Sequence, residues 1–124
     1  MPSPLSDGTR SLADGLWQDC WVTLVTVFRS RLRPGVQDDY DVVAQEMSRL
    51  VRTIDGFIDE KFYTSSDGER VTIVRFRDLE SHQRWARYPE HLAAQQRGRD
   101  EFYSWYDISV NEELHTRDFG SPLP

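Results

Sequence analysis

From Trp21 to Phe28 the chain reads WVTLVTVF, β-branched and aromatic, which predicts a strand. Alternation sends Val22, Leu24 and Phe28 to one side and Trp21, Val25 and Val27 to the other. Both faces are apolar, so both need cover. After Pro34-Gly35, residues Val36, Tyr40, Val43, Met47, Leu50, Val51 and Ile54 recur at steps of three and four, the stripe of a helix packed on a sheet. Asp38, Asp39 and Asp41 sit early and Arg49 and Arg52 late, in the order the helix dipole favours. Asp55-Gly56 ends that helix. Two strands, Phe57 to Thr64 and Arg70 to Arg77, follow around Asp67-Gly68, a hairpin signal. A two-residue turn there sets Phe62 opposite Ile73 and Glu60 opposite Arg75.

Asp78 is a candidate N-cap for a helix from Leu79 to about Arg87. Pro89 pushes Tyr88 out of the α region and starts a second helical segment running to Gly98. A turn carrying Phe102 and Tyr103 leads into a last strand, Trp105 to Asn111. The order β-α-β-β-α-β is the split βαβ plan: an α+β, ferredoxin-like fold with an antiparallel four-stranded sheet and both helices on one face. The two-sided apolarity of the first strand then predicts a homodimer whose sheets cover each other around a shared barrel. Residues 1–15, mixed Pro, Ser, Gly and Asp without period, read as a flexible arm; 16–118 form the domain, and 119–124 a tail.

With 124 residues the chain has the length of one domain. The net charge of −6 and a single lysine, Lys61, argue against a nucleic-acid partner. No run is long and apolar enough for a signal or an anchor, and the expected location is cytoplasmic. The lone Cys20 has no partner for an internal disulfide, and no spacing suggests a metal site.

Candidate chemistry gathers between Arg84 and Asn111, where aromatics, arginines and a histidine crowd together. Trp85 is either a core indole or the wall of a planar-ligand cleft. His91, with an ordinary pKa near ~6.5, suits a general base or a metal ligand; otherwise it is a helix-start histidine bound to backbone. On an unbroken helix six residues turn Trp85 and His91 about 120° apart; a kink at Tyr88-Pro89 can bring them to one cleft. Arg75 either pairs with Glu60 across the ladder or grips an anionic ligand oxygen. Tyr103, His82 and Phe28 complete the candidate substrate contacts, although His82 also reads as a surface residue and Tyr103 as core. Arg97 and Arg99 read as solvated charge beside Gly98.

The element order, with Trp85, Pro89-Glu90-His91, Gly98-Arg99, Phe102-Tyr103 and Tyr106, resembles the antibiotic biosynthesis monooxygenase family over roughly residues 20–118. That resemblance implies a dimeric α/β barrel. It also implies cofactor-free oxygenation of an aromatic small molecule, an anthrone or hydroquinone, by O2, with His91 and Trp85 as the catalytic pair and no metal. The family's haem-degrading branch makes a haem binder using His91 the alternative, and a non-catalytic ligand-binding dimer is the third reading. Two departures stand out. The only asparagine is Asn111, in the last strand, and Ser81 stands where the polyketide branch carries an asparagine one turn before the tryptophan.

Overall fold

The structure, a computed structural model, describes residues 22–124. The elements are β1 (Leu24–Leu32), α1 (Gln37–Val51), β2 (Phe57–Thr64), β3 (Arg70–Phe76), α2 (Leu79–Ala86), α3 (Pro89–Arg97), a π-helical turn (Gly98–Phe102) and β4 (Tyr103–Glu112). The strands form one antiparallel sheet in the order β2-β3-β1-β4, the predicted ferredoxin-like plan. The expected arm and Trp21 lie outside the described residues. Beyond Glu112 the chain has no helix or strand, and Leu114, Phe119 and Leu123 are exposed. Among the described residues no helix is long and apolar enough to cross a membrane.

β1 runs four residues further than its apolar pattern suggests. Arg29-Ser30-Arg31 breaks the run of apolar residues, but the loop between β2 and β3 neutralises the break. Arg29 pairs with Glu69 at 2.6 Å and Arg31 with Asp67 at 2.9 Å, while the small Ser30 is buried on the helix side. Side chains at even β1 positions (Leu24, Thr26, Phe28, Ser30) thus face the helices, and Val25 and Val27 face away.

The hairpin register differs by one from the expectation. Ser65 and Glu69 close the loop through Ser65 N–H to the Glu69 carbonyl (2.8 Å), leaving three residues at the tip, with Gly68 at φ +91°. A three-residue loop ending in a left-handed glycine replaces the two-residue turn. Phe62 therefore faces Thr72, Glu60 faces Val74, and Arg75 faces Asp59. A one-residue slip puts Glu60 and Arg75 on opposite sides of the sheet. Glu60 lies on the helix side, held by Ser48 (2.8 Å) and Arg52 (3.1 Å).

The core joins Leu50 and Val51 of α1, Phe76 of β3 and Trp85 of α2, with Met47, Ile54, Phe57, Val74 and Tyr88 packed around them. Asp78 caps α2 as predicted, accepting from the Ser81 N–H at 2.8 Å and its hydroxyl at 2.7 Å.

Candidate functional site

Between the helices and the sheet lies a cavity of about 310 Å³. Its floor comes from β1 and β3, including Thr26, Phe28, Thr72 and Val74. Its roof comes from Tyr40 and Met47 of α1, His82 and Trp85 of α2, and His91 of α3; Arg99, Phe102 and Tyr103 close one end.

The proline break makes the central feature of this roof. In a continuous helix the Trp85 carbonyl would accept from the N–H of residue 89, but Pro89 has none. Tyr88 takes an extended backbone (φ −63°, ψ 127°) and α3 starts in a new direction. The Trp85 carbonyl instead accepts from the Tyr88 N–H at 3.1 Å and from the His91 side chain, with Nδ1 2.9 Å away. A carbonyl only accepts, so the Nδ1 proton is fixed and Nε2 keeps a lone pair. The imidazole lies on the Trp85 indole, centroids 4.2 Å apart and planes 18° from parallel. The kink thus brings the two candidate residues into one cleft wall.

Burial pushes the His91 pKa below its ordinary value, and nearby His82 pushes it the same way against the opposing carbonyl bond. His82 is likewise lowered by burial. It lines the cavity instead of the surface, edge-on to Phe76, and its buried Nδ1 has no partner among the described residues. Three residues before Trp85, it shares that residue's helix face. Ser81, fully buried and bound to Asp78, does not line the cavity.

Phe28 and Tyr103 meet edge-on at 5.3 Å, and Tyr103 also packs on Tyr40 and Tyr106. Desolvation raises the Tyr103 pKa strongly, with Tyr40 adding to it, so the phenol stays a neutral donor. Strict alternation would put Tyr103 and Tyr106 on opposite faces. A bulge, where Leu32 pairs with Tyr103 but Arg31 with Trp105, turns both toward the cavity and leaves Trp105 on the far face.

Arg75 is the candidate that the structure removes from the cavity. It lies on the face turned away from the helices, bidentate to Asp59 (3.0 and 2.9 Å) and within 3.2 Å of Glu113. Tyr40, Arg99 and Phe102 are cavity residues that the sequence did not mark as contacts, and Tyr106 lines the cavity beside Tyr103. Tyr40 had a signal, as the one aromatic in the α1 stripe; the place of Arg99 depends on the π-helical turn, which no spacing announces.

Among the described residues no three His, Cys, Asp or Glu side chains gather as a metal site would need. The family model for antibiotic biosynthesis monooxygenases matches residues 23–97. The jasmonate monooxygenase ABM of Pyricularia oryzae is 31% identical over 88 residues, 69% of this chain and 41% of that protein. The uncharacterized protein YqjZ of Bacillus subtilis is 27% identical over 71 residues, 57% of this chain and 62% of that one. This chain therefore spans less than two thirds of either relative's length. Among solved structures, Rv0793 from Mycobacterium tuberculosis superposes with a TM-score of 0.65 at 21% identity, covering 80% of this chain and 99% of that one. SnoaB, a cofactor-independent oxygenase from Streptomyces nogalater, gives 0.65 at 16%, covering 77% and 96%. At these identities the structures share the fold. The family match spans more than half of the chain, and the chain belongs to the antibiotic biosynthesis monooxygenase family.

Proposed function

We propose that this family member is a cofactor-independent monooxygenase of an aromatic small molecule, an anthrone or hydroquinone, with His91 as base. The observation that carries the reading is the Trp85–His91 stack, with Nδ1–H committed to the Trp85 carbonyl and Nε2 available in a largely apolar cavity. A planar substrate fits between the stack and the sheet, where Phe28 and Tyr103 supply aromatic walls. With its pKa lowered, His91 is neutral at pH 7 and ready to accept a proton.

For an anthrone methylene, Nε2 takes one C–H proton. The carbanion gives one electron to O2, and the substrate radical and superoxide join at that carbon as a peroxide. Loss of water leaves a carbonyl: one oxygen atom ends in product and the other in water, with all four electrons from the substrate. Tyr103, held neutral, is the donor for the enolate oxygen. No step in this sequence needs flavin or metal. The face away from the helices carries Val25, Val27 and Ile73 among ion pairs, which supports the homodimer; a monomer by light scattering at micromolar concentration would remove it.

Oxygen uptake with a hydroxyanthrone and a hydroquinone tests the reaction. His91→Ala should lower kcat by about 10²–10⁴, and Trp85→Phe should raise KM while leaving the fold intact. If both variants keep full activity, the site assignment fails. The free Nε2 also carries the alternative, haem ligation, and a haemin titration separates the two: a Soret shift that His91→Ala abolishes would favour haem. Saturable binding of planar ligands without uptake of O2 would favour the non-catalytic dimer.

A further inference from the structure

The charges around the cavity are unequal in a way that bears on the substrate, given the aromatic-ligand reading above. Among the described residues Glu60 is the one carboxylate lining the cavity, and Arg52 and Ser48 occupy it. The two histidines are neutral near pH 7, and Tyr103 is neutral throughout. Arg99, exposed and lining the cavity, marks the mouth. Its guanidinium donates to the neutral amide oxygen of Gln96 at 2.8 Å. Among the described residues no carboxylate lies within ion-pair distance of it: Arg97 takes Glu101 at 3.1 Å, and the Gln96 amide donates to Asp100 at 3.0 Å. In a chain with 21 acidic and 15 basic residues, the cavity thus keeps a cation without an anion.

The turn that carries Arg99 is held from behind. The Arg33 guanidinium donates to the carbonyls of Arg99 (2.9 Å), Asp100 (2.7 Å) and Tyr103 (3.0 Å), and the Arg33 N–H donates to the Phe102 carbonyl at 2.7 Å. Gly98 lies against the Tyr103 ring at the turn's start. The backbone under Arg99 is therefore fixed while its guanidinium remains available. A second cation, Arg70, lies over the Tyr40 ring at the same end.

We infer that Arg99 anchors a carboxylate of the substrate, which makes the ligand class a planar aromatic acid. Its ring lies toward the Trp85–His91 stack and its charged end at the mouth, where two guanidinium N–H groups match two carboxylate oxygens. Arg99 is then a specificity-determining residue, and Arg33 the residue that positions it.

Calorimetric titration of the full chain with naphthalene-2-carboxylate and with its methyl ester tests this, since neither ligand is consumed. The parent should bind the acid about tenfold more tightly than the ester. Arg99→Gln should abolish that preference at unchanged ester affinity, Arg99→Lys should restore part of it, and added salt should weaken it. Equal affinities in the parent, or a preference that survives in Arg99→Gln, would overturn the anchor and leave the aromatic cavity standing. If neither ligand binds saturably, the anchor and the aromatic-ligand reading fall together.

Discussion

Replacing Gly98 by alanine sets two known effects against each other at one position. Gly98 has ordinary helical angles (φ −57°, ψ −48°), so alanine should by propensity stabilise the turn by about 1 kcal/mol. The added Cβ, however, would stand 2.5 Å from Cε2 and 2.9 Å from Cδ2 of Tyr103. Reaching an ordinary contact of ~3.5 Å needs the ring to retreat by roughly 1 Å. Tyr103 has little room, with Phe28, Tyr106 and Tyr40 rings centred 5.3, 5.7 and 5.9 Å away. Overpacking of this kind costs about 1–3 kcal/mol. The net expectation is a destabilisation of about 1 kcal/mol, with a Tm lower by about 4 °C or more. Because Tyr103 lines the cavity, a displaced ring should also raise KM for an aromatic substrate. Urea denaturation of Gly98→Ala, Tyr103→Leu and the double variant measures both terms: with the ring removed, the alanine should become neutral or stabilising. A single variant more stable than the parent by about 1 kcal/mol would refute the close approach of the turn to Tyr103.

Three other outcomes follow from the same geometry. His82 and His91 both have lowered folded-state pKa values, so below the unfolded value near 6.5 the unfolded chain binds more protons. Stability should be full above pH 6.5 and decline as pH falls through that value, and His82→Gln with His91→Gln should flatten the decline in urea midpoints between pH 7 and 5. Asp78→Ala removes two hydrogen bonds at the start of α2 and should cost about 1–2 kcal/mol, with the loss of order reported by hydrogen exchange in α2. Arg75→Met should lower stability by about 1 kcal/mol, through the carboxylates of Asp59 and Glu113 that it leaves without their cation. KM should not change, and a tenfold rise would return Arg75 to the site.

The fold was legible because its signals are local. The α1 stripe, the Asp78 cap and the Pro89 break each depend on residues within a few positions, and each matches the structure. The pairing of Trp85 with His91 was half legible: Pro89 implied a kink, but not that the Trp85 carbonyl, relieved of its i+4 donor, would bind the imidazole. Arg75 shows the opposite case. Its side of the sheet turned on whether the hairpin tip held two residues or three, and Asp67-Gly68 occurs in both loops. His82 read as surface because one residue's chemistry says nothing about which neighbours cover it.

Taken alone, the sequence determined the element order, the antiparallel α+β plan and the break that divides the second helical stretch, since these follow from periodicity, capping and the missing proline N–H. Tertiary structure decided the rest. A three-residue hairpin tip put Arg75 on the far face, and a bulge turned Tyr103 and Tyr106 to the same side. The π-helical turn, clamped by Arg33 from far along the chain, set Arg99 at the cavity mouth. In each case one residue of register, fixed by contacts between distant segments, reverses the direction of a side chain, and no local pattern carries that information.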